Sequence, residues 1–137
     1  MKTIFADTHY WLAITNPRDP WAEAARAARA QLGRVRLITT DEVLAELLAA
    51  VSRAGPIARR RTAEAVRAIR MDVDVRVVPP SRESFLLALA RYEQREDKSY
   101  SLTDCRSMNV MDAEGIAEVL TNDHHFEQEG YTILMPG

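Results

Sequence analysis

Residues 2–7 read Lys-Thr-Ile-Phe-Ala-Asp, and residues 8–14 continue Thr-His-Tyr-Trp-Leu-Ala-Ile. The first six residues form a short apolar run closed by an acid. This reads as a buried strand with Asp7 at its carboxyl end. Thr8 is read as the cap of a following helix through Trp11, Leu12 and Ile14, broken by Asn16-Pro17 and Asp19-Pro20. A strand that delivers an acid to the start of a helix is the unit on which the rest of the reading turns.

The same alternation runs through the chain. An Ala/Arg-rich helix is expected over Trp21–Leu32, ending near Gly33, then a short strand over Arg36–Ile38. Thr39 and Glu42 have capping-box spacing and open a helix with Val43, Leu44, Leu47, Leu48 and Val51 on one face. Gly55-Pro56 ends it, and an amphipathic helix then runs to about Arg70 through Ile57, Ala65, Val66 and Ile69. Val73–Val78 alternates as a strand and stops at Pro79-Pro80. Ser81 begins a helix with Phe85, Leu86, Leu89 and Tyr92 as its apolar stripe, and Glu93–Tyr100 reads as a loop. After these come a helix from Ser101 to Gly115, a strand over Ile116–Leu120, a loop or short turn of helix over Thr121–Phe126 and a strand over Tyr131–Leu134. Strands alternating with helices imply an α/β fold, with a mostly parallel sheet flanked by helices on both faces. Residues 1–137 show no linker or internal repeat and read as one domain.

Composition narrows the function. One cysteine, Cys105, excludes an internal disulfide and suits a reducing compartment. Lys2, Asp7 and His9 interrupt the first apolar stretch, so it does not read as a signal peptide. No run approaches the roughly 20 apolar residues that span a bilayer, and a soluble, cytoplasmic protein is expected. The five glycines are not clustered, which argues against a phosphate-cradling loop and nucleoside-triphosphate hydrolysis. Net charge is −2, but it is unevenly spread. Arg53, Arg59, Arg60, Arg61, Arg67, Arg70 and Arg76 face only Glu64, Asp72 and Asp74 in the middle of the chain. From Asp104 to Glu129 the acids are Asp104, Asp112, Glu114, Glu118, Asp123, Glu127 and Glu129, against Arg106 alone. That distribution suits an enzyme that draws a phosphate chain to a carboxylate pocket, although charge alone favours the plainer reading of two solvated faces of opposite sign.

In open α/β sheets, ligands bind beyond the carboxyl ends of the strands. Asp7 and Asp123 both fall there, although each could instead cap a helix. Asp104 heads a face with Ser107, Met108 and Met111, where a lone buried charge is costly. Its competing role is also a cap, three positions after Ser101. On the helix opened by Thr39, Glu42 points away from the apolar stripe, whereas Glu46 lies on its flank beside Val43 and Ala50. Glu42 is the better capping residue and Glu46 the better cleft residue; an exposed helix acid is the plain alternative. Four acids from four segments would repel one another unless cations or raised pKa values relieved them. An all-oxygen donor set selects Mg²⁺ or Mn²⁺ over Zn²⁺. Such pockets serve phosphodiester hydrolysis, where the metal activates water and offsets charge developing on phosphate.

Four stretches carry a family likeness: FADTHYWLA, TTDEVLAELLAAV, SLTDCRSMNVM and GIAEVLTNDHHFEQEGY, in that order. The T-D-x-x-S of Thr103–Ser107 and the L-T-x-D-x-H-F of Leu120–Phe126 are the most specific. On these the chain resembles the PIN-domain nucleases, and among them the VapC-type toxins of bacterial and archaeal toxin–antitoxin pairs, over nearly its whole length. The resemblance implies a PIN-like three-layer α/β/α fold and Mg²⁺-dependent endoribonuclease activity. It places the family's acids on Asp7, Glu46, Asp104 and Asp123, with Thr8, Thr103 and Ser107 as supporting hydroxyls. It further implies an RNA substrate, a homodimer, and a small antitoxin that binds the active-site groove. Asn109 and Asp112 depart from the pattern, which puts the packing of that helix in question.

Other readings remain beside it. The fold could serve as a metal-free RNA-binding or scaffold protein, and nothing in the residues separates RNA from DNA as substrate. His124 and His125 beside Asp123 lack the second close-spaced pair a zinc site needs. His125 and Phe126 are read as packing the turn, with His124 toward substrate. His9 stands where a haloacid-dehalogenase-type phosphotransferase wants a second acid. Cys105 is read as a small packing residue, and Trp11 and Trp21 as core or interface groups.

Overall fold

In the computed structural model, which describes residues 1–136, the elements alternate as the sequence anticipates. They are β1 (Lys2–Ala6), α1 (Thr8–Thr15), α2 (Ala22–Leu32), β2 (Val35–Thr40), α3 (Asp41–Ala50), α4 (Pro56–Met71) and β3 (Val75–Val78). After these come α5 (Arg82–Gln94), α6 (Leu102–Glu114), β4 (Glu118–Leu120), α7 (His125–Gln128) and β5 (Thr132–Ile133).

The strands form one sheet in the order β3-β2-β1-β4-β5, and every pairing is parallel. The sheet is therefore wholly rather than mostly parallel among the described residues. β1 is central. Ile4 lies opposite Leu37 on one side, and Phe5 and Ala6 lie opposite Val119 and Leu120 on the other. Ile4, Phe5 and Ala6 are fully buried, as a strand covered on both faces demands. Chain order reverses about β1: β2 and β3 lie to one side, β4 and β5 to the other. The carboxyl ends of β1 and β4 meet there, with Asp7 N–H donating to Leu120 O at 3.2 Å. This is the switch point at which open parallel sheets form clefts. The core beneath combines Ile38, Val43, Leu47, Met108, Met111, Val119 and Phe126. No helix among the described residues is long and apolar enough to cross a membrane.

Several local expectations are corrected. Thr8 does not cap α1; the cap position is Asp7, and Thr8 is the first helical residue. The cap of α3 is Thr40, whose hydroxyl accepts from Val43 N–H at 3.1 Å. Thr39 is fully buried and turned into the sheet, donating to Ala6 O and accepting from Trp11 Nε1. Glu42, left without a capping task, accepts from Arg106 Nε at 3.0 Å. The strands begin later than hydrophobic pattern alone suggests, at Val75, Glu118 and Thr132; ahead of β3, Val73 and Asp74 form a turn. Helix α5 extends to Gln94, into the stretch read as loop.

The face of α5 also differs. Phe85, Leu86 and Tyr92 are exposed, while Ala88 is buried. The helix packs on α6 through Ala88 and Arg91. Arg91 donates from Nη1 to Asn109 Oδ1 at 2.9 Å and Asp112 Oδ2 at 3.0 Å, and from Nη2 to Glu129 Oε1 at 3.1 Å. Asn109 and Asp112, the residues that break the family pattern, are thus the acceptors that set how α5 sits. Glu129 also accepts from Arg95 Nε and the Tyr100 hydroxyl. Helix α6 ends at Gly115, whose φ of 67° is the left-handed turn glycine adopts without steric cost.

Candidate active site

Asp7 sits at the cap position of α1, yet its side chain makes no cap hydrogen bond. Its Oδ2 instead accepts from the Thr121 hydroxyl at 2.9 Å, and His9 Nδ1 approaches the same oxygen at 3.4 Å. The carboxylate is only 2% exposed. The capping explanation of Asp7 is thereby removed: the side chain looks across the sheet toward β4.

Asp104 combines both roles weighed from sequence. With Ser101 it forms a capping box, in which Ser101 N–H donates to Oδ2 at 3.1 Å and the Ser101 hydroxyl accepts from Asp104 N–H at 3.0 Å. It is also buried, at 8% exposure, on the face shared with Ser107, Met108 and Met111. Asp123 accepts from the His125 backbone N–H through Oδ1 at 2.9 Å, holding the loop that leads into α7. The Thr121 hydroxyl accepts from Asp123 N–H at 3.1 Å, so one threonine fixes both Asp7 and the Asp123 loop.

Two triads of donor atoms overlap at Asp123. Atoms of Asp7, His9 and Asp123 lie within 4.8 Å of one another, as do atoms of Asp104, Asp123 and His125. Glu46 joins from α3, where its Oε1 accepts a short hydrogen bond from the Thr8 hydroxyl. Thr8 is therefore placed against one of the four acids. Thr103 is half-buried in the first turn of α6. Ser107, one turn beyond Asp104, is fully buried with its hydroxyl unpartnered.

The electrostatics agree with this crowding. Burial raises the pKa of Asp104, and the charges of Asp7 and Asp123 add to the rise, against hydrogen bonds from Ser101 and His125. Burial also raises Glu46; the Thr8 hydroxyl opposes this, and Asp7 and Asp104 reinforce it. His9 is raised chiefly by its hydrogen bond to Asp7, against its own burial. Asp104 and Glu46 thus both feel acids from other segments, the behaviour of a cluster of like charges.

The donor set fits a hard divalent cation. It is rich in carboxylate oxygens and holds two nearly buried acids, Asp7 and Asp104. Sequence reading missed three neighbours of the acids: His9, Thr121 and His125. The signal for Thr121 was its place two residues before Asp123, where its hydroxyl can accept from that residue's N–H. His124, read as facing substrate, is exposed and pairs with Glu127. His125 faces the acids, and Phe126 behind it is buried.

Comparison with known proteins points one way. The PIN domain profile matches residues 4–129. The 23S rRNA-specific endonuclease VapC20 of Mycobacterium tuberculosis, found in two strains, is 31% identical over 136 residues, covering 97% of this chain and 98% of that protein. The crystal structure of Mycobacterium tuberculosis VapC20, described as a sarcin–ricin loop cleaving toxin, superposes with a TM-score of 0.84 at 26% identity. That match covers 94% of this chain and 96% of the other.

Proposed function

Because this chain belongs to the PIN domain family, we propose that it is a divalent-metal-dependent endoribonuclease, the toxin of a toxin–antitoxin pair. The observation that carries the reading is the meeting of Asp7, Asp104 and Asp123 at the β1/β4 switch point, with Glu46 beside them. A metal-free scaffold has no need to crowd like charges in a buried cleft.

Asp7, Asp104 and Asp123 are the residues to hold the ion, and Glu46 is either a further ligand or a base at its edge. Oxygen donors favour Mg²⁺, with Mn²⁺ as the natural substitute. When bound, such an ion supplies positive charge that eases deprotonation of water and offsets charge building on the phosphate. The protein's own groups do the rest. Thr121 holds Asp7 and Thr8 holds Glu46, so both carboxylates are oriented before substrate arrives. Glu46 Oε1 is engaged by Thr8, which leaves Oε2 to take a proton from the attacking water. A raised pKa suits that task near neutral pH. The arginines Arg53 and Arg59–Arg61, all exposed, are the groups we assign to guiding a phosphate backbone.

The reading includes a single domain over residues 1–137, a cytoplasmic location, a homodimer and a small antitoxin partner. RNA is the substrate class, and the relative's specificity makes 23S rRNA the first substrate to assay. The test compares wild type, Asp7→Asn and Asp104→Ala on 23S rRNA and on single-stranded RNA, with Mg²⁺, Mn²⁺ or chelator. Cleavage by wild type that needs metal and drops at least ~100-fold in both variants is expected. Cleavage unaffected by chelator, or equal in Asp7→Asn, refutes the assignment.

A further inference from the structure

We propose that His125 is a positioning residue of this site: its Nδ1–H holds Asp104 and Asp123 in the orientation that receives the divalent ion, without itself being a ligand. The inference rests on the nuclease reading and extends it to a residue that sequence analysis placed in packing.

The ring opens α7, and its Nδ1 lies 3.2 Å from Asp104 Oδ2 and 3.4 Å from Asp123 Oδ1. These carboxylates belong to α6 and to the loop after β4, and their like charges drive them apart. An ionised carboxylate can only accept, so the nitrogen between them must carry the hydrogen. The oxygens it faces are already engaged from the backbone, Asp104 Oδ2 by Ser101 N–H and Asp123 Oδ1 by His125 N–H. Each acid is thus gripped on one oxygen. Oδ1 of Asp104 and Oδ2 of Asp123 are the atoms left to face a cation. Ligation through Nδ1 would strip the shared hydrogen and leave two bare oxygens opposed.

The ring has its own support. It meets Tyr100 edge-on, with centroids 5.4 Å apart and planes at 65°. Tyr100 is 4% exposed, and its hydroxyl donates to Glu129 Oε2 at 3.0 Å. Glu129 is in turn held by Arg91 and Arg95 of α5 and its C-cap. The acids are therefore braced, through one imidazole and one phenol, against the ion network that docks α5 on α6. Outer partners of this kind keep ligands in register, and their loss commonly weakens metal binding 10–100-fold.

The test is Mn²⁺ titration of the full chain by electron paramagnetic resonance, with wild type, His125→Phe and His125→Asn. Phenylalanine keeps an aromatic ring for Tyr100 and removes the donor; asparagine keeps a donor near the place of Nδ1. His125→Phe is expected to weaken Mn²⁺ binding by about 10–100-fold, and His125→Asn to recover most of that loss. In wild type, the bound Mn²⁺ should show no nitrogen coupling that His125→Asn removes. Nitrogen-15 spectra should show His125 protonated at Nδ1 with and without Mg²⁺. Direct nitrogen coupling lost in His125→Asn, or unchanged Mn²⁺ affinity in His125→Phe, overturns the proposal. If His125→Phe does not fold, the wild-type spectra and His125→Asn decide it, and a loss of 10-fold or more in the asparagine variant counts against it. Wild type that binds Mn²⁺ and cleaves RNA, with His125→Phe unaltered, sinks this role alone. Wild type that does neither sinks the nuclease reading beneath it.

Discussion

Neutralising Asp104 should make the metal-free protein more stable while abolishing its response to metal. A carboxylate oxygen of Asp104 lies within 4.8 Å of one on Asp123. Two full charges at that distance repel by about 3.5 kcal/mol at an effective dielectric constant of about 20. Each charge is spread over two oxygens and screened by salt, which brings the repulsion to about 2 kcal/mol. Asp104→Asn keeps acceptors for Ser101 N–H and His125, so the capping box survives, but exchanging charge-assisted for neutral hydrogen bonds returns about 1 kcal/mol. The net gain is about 1 kcal/mol, or roughly 3–5 °C in Tm for a domain of this size. Its pH dependence has a definite sign. The folded-state pKa of Asp104 is raised, so the folded protein binds that proton more tightly than the unfolded chain does. Metal-free wild type therefore loses stability as pH rises from the ordinary carboxylate range through the raised value. The variant escapes the Asp104 share of this loss, so its advantage is full near neutral pH and fades on acidification. Thermal and urea melts in chelator and in excess Mg²⁺ measure both effects. Mg²⁺ should stabilise wild type by linkage and the variant far less. An Asp104→Asn protein that is less stable than wild type in chelator at neutral pH, or equally stabilised by Mg²⁺, would refute the claim of a repulsive cluster built around a cation.

Three other outcomes follow from the same geometry. Arg91→Met should cost about 3 kcal/mol in urea denaturation, because it leaves Asp112 and the largely buried Glu129 each short of a charged partner; Arg91→Lys should recover part of this, and a cost under about 1 kcal/mol would show that the α5–α6 network is ornamental. Thr8→Val removes the hydrogen bond that holds Glu46 down, so the acid limb of the cleavage rate profile should move to higher pH with roughly a 10-fold loss of kcat. Burial works against the charge of Glu129, but hydrogen bonds from Arg95, Arg91 and Tyr100 prevail and lower its pKa. Its stabilisation is present above the unfolded glutamate value and disappears as pH falls through the lowered folded value, so Glu129→Gln should flatten the acid limb of a stability–pH curve measured by denaturant titration.

The fold was legible where burial leaves few options. An apolar run too short for a helix, closed by an acid and followed by helical spacing, has one comfortable place in an α/β protein, and β1 occupies it. The acids could be picked out by place, Asp7 and Asp123 just past strand ends and Asp104 and Glu46 on helix faces, and they were joined into one set by the family resemblance. What stayed hidden depends on groups far apart in the chain. Periodicity marks Phe85, Leu86, Leu89 and Tyr92 as a stripe, but α5 is seated by Arg91 reaching Asn109, Asp112 and Glu129, and no local pattern carries those pairings. Thr39 and Glu42 have the spacing of a capping box, yet Thr39 answers to Ala6 and Trp11 across the sheet, and Thr40 caps instead. The competing roles of Asp104 could not be separated by sequence because the residue performs both, binding its own helix terminus while entering the cluster.

The central place of β1 has a consequence for synthesis. Asp7 is synthesised 114 positions before the threonine that fixes it, which lies on the far side of the pairing between Ala6 and Leu120. Closing so distant a contact is slow and must await synthesis through β4 and Thr121. A nascent or prematurely released chain that stops before β4 holds Asp7, Glu46 and Asp104 without Thr121 or Asp123 to complete the cluster. On the nuclease reading, the enzyme stays unarmed until β4 and the loop after it have been threaded into place, and only then becomes dangerous to RNA.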